Sequence, residues 1–235
     1  MSKHADANAD GSVWCIVVAG GAGTRFGQPK QFLDLDGRRV IDVALDVARA
    51  SCDGTVLVVP ADSVESESRL QGGNTVVVAG GATRSESVRA GIEAVPGNAN
   101  VVLVHDGARP LASAALYKRV IDAVIGGAVC VVPVVPVVDS LRSIGGGVVD
   151  RDTIRAVQTP QGFRRDVLLQ AHSTTAEATD DASLVEATGY EVVMVDGESS
   201  NRKITEPVDL IVARALCKDD AILRTANEPR EGVDQ

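Results

Sequence analysis

Short valine-rich runs recur along this chain, at residues 13–18, 56–59, 76–79, 101–104, 129–132 and 192–195. None alternates strictly between apolar and polar positions, which is how strands read when both faces of a parallel sheet are covered. The intervening segments carry apolar residues at helical spacing. Over residues 40–50 the stripe is Val40, Val43, Ala44 and Val47, and residues 85–95 and 114–125 repeat the pattern. The alternation predicts an α/β fold: a mostly parallel, Rossmann-like sheet with helices on both faces and right-handed crossovers. Ser85 is the expected N-cap of the second helix, and Thr205 that of a last helix opening at Pro207.

One segment departs from the alternation. Two β-prone runs, 133–144 and 148–157, are joined by Gly145, Gly146 and Gly147, and no helix fits between them. The pattern predicts a β-hairpin, with two readings open: a projecting arm whose apolar residues a partner covers, or an antiparallel extension of the sheet edge. Beyond residue 216 the composition turns polar, as it is before residue 12. The expected organisation is a disordered 1–11, one domain over 12–217 with the arm at about 134–157, and a flexible tail over 218–235, within which 221–226 can prolong the last helix.

Composition narrows the partners. Of 235 residues 45% are hydrophobic but only 3% aromatic, so the core is aliphatic. A net charge of −9 argues against a general binder of nucleic acid or acidic membranes. Cys15, Cys52, Cys130 and Cys217 show no metal-binding spacing. The N-terminal residues lack the apolar stretch of a secretory signal, and no run reaches the ~20 apolar residues that span a bilayer. A reduced, cytoplasmic setting is expected.

Against this acidic background, basic residues beside glycines carry information. Ala19, Gly20, Gly21, Ala22 and Gly23 follow the first strand directly, and Arg25 and Lys30 come next. Glycine lets successive N–H groups close on an anion, and two cations beside such a nest describe a triphosphate cradle. The spacing is not that of a P-loop, and Phe26 stands where a dinucleotide fingerprint needs its third glycine. Gly80 and Gly81 follow another strand and leave room for a planar base, with Ser87 offering a hydroxyl. Asp106 ends a strand, where a carboxylate can hold a cation on a nucleotide. Arg109 suits either an anionic substrate or an ion pair with Asp106, and His105 reads as a packed or hydrogen-bonding residue rather than a base. Lys203 reads alone as a surface lysine, yet its place before Thr205 and Pro207 lets it fold back over the same sheet edge.

In order, the segments VAGGAGTRFGQPKQF, GGATRSESV, VHDGARP, VVDSLR, AVQTPQGF, ATDDASLVE and NRKITEPVDL resemble the 2-C-methyl-D-erythritol 4-phosphate cytidylyltransferases, over residues 13–216. The resemblance implies a nucleotidyltransferase fold and a homodimer that exchanges its hairpin arms. It implies that Ala19, Gly20, Gly21, Ala22 and Gly23 cradle the phosphates of CTP, with Arg25, Lys30 and Lys203 as catalytic cations. Gly81, Ser87, Asp106 and Gly107 fall at nucleotide-binding positions, with Asp106 also near Mg²⁺. Asp106, Arg109, Ser140, Arg151, Thr159, Thr179 and Lys203 fall at positions that contact the sugar phosphate. Ser140 stands where threonine is usual, Gly107 replaces a common alanine, and Ala82 replaces an aspartate of some members. Related enzymes take ribitol 5-phosphate instead, other nucleotidyltransferases share the glycine-rich start, and a silent nucleotide-binding regulator is the non-enzymatic alternative.

Overall fold

The computed structural model describes residues 11–21, 29–173 and 177–226, with side chains as far as Lys218. Along the chain run β1 (Ser12–Val18), β2 (Asp34–Leu35), β3 (Arg38–Arg39), α1 (Val40–Ser51), β4 (Gly54–Val59), α2 (Val64–Glu67), β5 (Thr75–Ala79), α3 (Arg84–Ala94), β6 (Ala99–Asp106), α4 (Ala114–Ile125) and β7 (Cys130–Pro136). There follow β8 (Leu141–Arg142), β9 (Val148–Val149), β10 (Arg155–Val157), β11 (Gln161–Arg164), α5 (Arg165–Ala171), α6 (Asp181–Ala187), β12 (Val193–Asp196) and α7 (Pro207–Ala226). The six expected strands and the three expected helices are all present.

The main sheet has the order β10-β7-β11-β6-β1-β4-β5, with β12 alongside β7. Pairings of β1 with β4 and β6, β4 with β5, and β12 with β7 are parallel. The absence of apolar–polar alternation in the strands has a direct cause: alternate side chains enter different cores, and both cores are dry. Trp14 and Ile16 of β1 face a layer with Val88 and Ile92 of α3 and Leu168 of α5. Cys15 and Val17 face the opposite layer, with Ile41 and Leu45 of α1 and Leu116, Tyr117 and Val120 of α4. The helix α3 lies so close on β1 that a Cβ at Gly91 would sit 2.5 Å from Ile16 Cγ2.

Four local features differ from expectation. A short strand, β11, lies antiparallel between β6 and β7, with Phe163 fully buried. The N-cap of α3 is Thr83 rather than Ser85: its hydroxyl accepts from Glu86 N at 3.1 Å in a reciprocal capping box, while Ser85 is buried. At α7, Thr205 donates rather than caps. Its hydroxyl and N–H, with the N–H of Glu206, converge on Asp209 Oδ2 at 2.7–2.9 Å. That helix also continues past residue 217 to Ala226, while residues 1–10 and 227–235 of the expected disordered ends lie outside the described residues.

The segment after β7 contains both geometries expected of it. β10 pairs antiparallel with the end of β7, Val157 opposite Val134, as an extension of the sheet edge. Between them β8 and β9 form a separate two-stranded ribbon, with Leu141 opposite Val149, and Val138, Ile144 and Val148 are exposed.

Candidate active site

Three turns meet at the carboxyl ends of β1, β5 and β6. Main-chain hydrogen bonds fasten each to a neighbouring strand: Ala19 N to Val58 O (2.7 Å), Gly80 N to Val59 O (2.7 Å) and Gly107 N to Val18 O (2.9 Å). In front of them lies a cleft of about 520 Å³, bordered by Ala19, Gly20, Gly21, Lys30, Gly81, Ser87, Asp106 and Lys203, with Arg84 in its wall. Eight of the residues picked from the sequence are thus brought to one cavity. Ala22, Gly23 and Arg25 lie outside the described residues.

The start and end of the glycine loop are tied together by a residue not singled out in the sequence. Gln31 is buried and donates its Nε2–H to Gly21 O at 3.2 Å, and Lys30 precedes it in a short 3₁₀ turn, residues Lys30–Phe32. In the next turn, Gly80 donates to Val59, whereas Ala82 and Thr83 donate to Glu86 Oε2 at 2.6 and 3.3 Å. The N–H of Gly81 is left without a partner among the described residues and borders the cleft. A Cβ there would lie 2.3 Å from Glu86 Cβ, so this backbone position requires glycine. Ser87 sits in the first turns of α3, its hydroxyl donating to Thr83 O at 2.9 Å.

Asp106 is the electrostatic centre. Lys203 Nζ donates to its Oδ2 at 2.6 Å, Arg84 Nε lies 3.6 Å from Oδ1, and Arg109 Nε lies 3.9 Å from Oδ2. Burial by itself would raise the carboxyl's pKa, but Lys203 foremost, then Arg84 and Arg109, outweigh it and hold it far below the ordinary range. Lys203 reaches this point because the following Ile204 is fully buried and its N–H bonds Ala108 O at 2.8 Å, fastening the loop before α7 to the turn after β6.

Behind Asp106, His105 is fixed as a neutral ring. A carbonyl only accepts, so Nε2 carries the hydrogen toward Arg109 O (3.1 Å), and Nδ1 accepts from the Thr159 hydroxyl (3.1 Å). That hydroxyl in turn accepts from Asp106 N at 3.0 Å. Burial lowers His105 from its ordinary 6.5 to about 4, Asp106 opposing the shift. The reading of His105 as a packed, hydrogen-bonding residue matches this arrangement.

Other expected site residues stand apart from the cleft lining. Thr159 is committed to His105 and Asp106, and Gly107 to Val18. Arg109 Nη1 donates to Asn201 O at 2.8 Å, tying the β6 turn to the loop that carries Lys203. Ser140, Arg151 and Thr179 are exposed, with Arg151 Nη1 donating to Val138 O at 2.5 Å. Among the described residues no cluster of three or more histidine, cysteine, aspartate or glutamate side chains is arranged to hold a metal ion. Besides Gln31, the sequence reading missed Arg84, whose only signal was its position after Gly80-Gly81-Ala82-Thr83. It also missed Gln158, buried and bonded to Glu198 and Asn201, which shapes the Lys203 loop.

With this geometry in place, comparison with known proteins is specific. Residues 13–219 match the family model described as 2-C-methyl-D-erythritol 4-phosphate cytidylyltransferase. The chain is 42% identical over 225 residues to the protein of that name from Rhodococcus jostii, covering 92% of this chain and 99% of that one. It is 44% identical over 229 residues to the one from Nocardia farcinica, covering 93% and 99%. Among solved structures, the 2-C-methyl-D-erythritol 4-phosphate cytidylyltransferase of Thermus thermophilus superposes with a TM-score of 0.76 at 38% identity, over 88% of this chain and 99% of that one. The 4-diphosphocytidyl-2C-methyl-D-erythritol synthase of Anaerococcus prevotii gives 0.76 at 28% identity, over 88% and 98%.

Proposed function

Because this chain belongs to the 2-C-methyl-D-erythritol 4-phosphate cytidylyltransferase family, we infer that it is a nucleotidyltransferase of isoprenoid biosynthesis. It transfers the cytidylyl group of CTP to 2-C-methyl-D-erythritol 4-phosphate, forming 4-diphosphocytidyl-2-C-methyl-D-erythritol and pyrophosphate. The observation that carries this reading is the junction of Lys203 with Asp106 at the end of β6, in one cleft with the glycine turns and Lys30.

A phosphate oxygen of the sugar phosphate attacks the α-phosphorus of CTP, and the bond to pyrophosphate breaks. The attacking monoester is already an anion near neutral pH, so the chemistry needs alignment and charge neutralisation more than a strong base. Neutral, fully hydrogen-bonded His105 agrees with that demand. Gly20 and Gly21, which border the cleft, are assigned to the triphosphate, and the same role is assigned to Ala22, Gly23 and Arg25, which lie outside the described residues. Lys30 and Lys203 offset the charge that builds up on the phosphates. The N–H of Gly81, without a partner among the described residues, and the hydroxyl of Ser87 are assigned to the base and ribose.

Mg²⁺ fits the donors present in a limited way. Asp106 supplies one ionised, hard oxygen donor, so the ion would be held mainly by the nucleotide's own phosphates. When bound it would help to neutralise the charge of the phosphates.

Ser140, Arg151 and Thr179 lie outside the cleft of their own protomer. A homodimer in which each arm completes the other subunit's sugar-phosphate site accounts for them, and exposed Val138, Ile144 and Val148 support a covered arm. Free thiols at Cys15, Cys52 and Cys130 favour a cytoplasmic enzyme. No helix among the described residues is long and apolar enough to cross a membrane. The deciding assay is pyrophosphate release with CTP, UTP, ATP and GTP, each against methylerythritol phosphate and ribitol phosphate. Turnover is expected with CTP and methylerythritol phosphate. Preference for ribitol phosphate would reassign the substrate, and equal use of UTP would remove Gly81 from base recognition.

A further inference from the structure

Asp181 opens α6 outside the cleft and is fully buried. Its Oδ2 accepts from Arg84 Nη2 at 2.7 Å and its Oδ1 from His172 Nε2 at 3.0 Å. An ionised carboxylate cut off from water is costly unless each oxygen is paired, and here both are. The first turn of α6 is itself clamped to the sheet by Gln161 of β11, whose Nε2 donates to Asp180 Oδ2 (2.9 Å) and whose carbonyl accepts from Ala182 N (3.2 Å). Asp181 is therefore a rigid anchor, set by strand β11 and by the end of α5.

Arg84, first residue of α3, spans from that anchor to the cleft. Its Nη2 is held by Asp181, its Nε faces Asp106 Oδ1 at 3.6 Å, and among the described residues Nη1 donates to no group. Arg84 and Lys203 approach opposite oxygens of Asp106 and Arg109 Nε lies 3.9 Å from Oδ2, so three cations stand against the two carboxylates of Asp106 and Asp181. The surplus positive charge suits an anion placed there, and a guanidinium fork fixed at one prong presents the other in a single direction.

We propose that Asp181 is a positioning residue, which fixes Arg84 so that its guanidinium meets the phosphates where nucleotide and sugar phosphate join. This rests on the cytidylyl-transfer reading above. Removing the charge of Asp181 while keeping its shape then impairs turnover through Arg84, not through folding.

The test is a double-mutant cycle of Asp181→Asn and Arg84→Gln, read as kcat and KM for both substrates, CTP affinity by calorimetry, and melting temperature. Each single change should lower kcat/KM about tenfold or more, and the double variant should be no worse than Arg84→Gln alone, since contacts that act through one group are not additive. Arg84→Lys, which keeps charge without the fork, should recover only part of the loss. His172→Leu gives a second handle should Asp181→Asn fold poorly: it frees one carboxylate oxygen, and its kinetic cost should vanish in the Arg84→Gln background. Single variants that lose melting temperature yet keep wild-type kcat/KM would reduce the pair to a structural tie and overturn the proposal. So would fully additive kinetic losses. A wild-type protein inactive with every nucleotide and sugar phosphate overturns the functional reading itself, which is a different result from an active wild type with unimpaired variants.

Discussion

The cleft and the arm belong to one sequence but are organised in opposite ways. Around the cleft, Asp106, Lys203, Arg84 and Asp181 form a continuous set of ion pairs, backed by strands whose both faces are buried. In the arm, among the described residues, β8 and β9 pair only with each other, and Ser140, Arg151, Ile144 and Val148 are exposed. Under the proposed dimer, this division assigns the nucleotide to the cleft of one chain and completion of the sugar-phosphate site to the arm of the other. The difference also locates where substitutions strike chemistry and where they strike affinity.

Changes in the cleft should have the largest effect. Lys203→Ala removes the cation proposed to offset phosphate charge and leaves buried Asp106 with one fewer partner, so kcat/KM should fall by about two to three orders of magnitude. Lys30→Ala should cost near two orders, mainly in kcat, while melting temperature barely moves. Steady-state kinetics beside thermal melts would show this, and activity within a few-fold of wild type in a folded Lys30→Ala protein would remove the residue from the chemistry.

The cleft should also be the acid-sensitive half. Folded His105 titrates at about 4 against an ordinary 6.5, so between these values the unfolded chain binds more protons. Its contribution is complete above about pH 6.5 and is lost as the pH falls through 4, on the order of 3 kcal/mol in all. Urea unfolding at pH 7 and pH 4.5 should show a stability drop that His105→Asn diminishes. Equal drops in both proteins would place the acid sensitivity elsewhere.

Arm substitutions should be milder and selective. Arg151→Ala is expected to raise KM for the sugar phosphate about tenfold with CTP affinity unchanged, the signature of a lost substrate contact. The smallest expected effect is at the α3 cap: Thr83→Ala should cost about 1 kcal/mol of stability, and a nearly unchanged unfolding midpoint would show that the capping box adds little to the fold.

The contrast between the two regions also governed what could be read beforehand. Parallel strands announce themselves because their valine and isoleucine side chains must fill two dry cores at ~25 cal/mol per Å² of apolar area. The glycine turns were legible because backbone that borders the cleft leaves a compositional trace. β11 was not, since in Gln-Gly-Phe-Arg only Phe163 is a core residue and Gln161 serves the cap of α6 instead. The cap of α3 was legible and misread: Thr83 and Glu86 have the capping-box spacing, and Ser85 merely lies between them. Arg84 with Asp181, and Gln158 with Asn201, are pairs distant in sequence, and no local pattern signals such a partner.

The most direct measurement mixes two crippled proteins. Lys203→Ala lacks the cleft cation and Arg151→Glu turns the arm residue against a phosphate, so each alone should be nearly inactive at low sugar phosphate. If each site joins the cleft of one chain to the arm of the other, one of the two sites in a heterodimer is intact, and an equal, fully exchanged mixture should recover about a quarter of wild-type activity. No recovery, with heterodimers verified by mass, would mean that Arg151 serves its own subunit or no site at all.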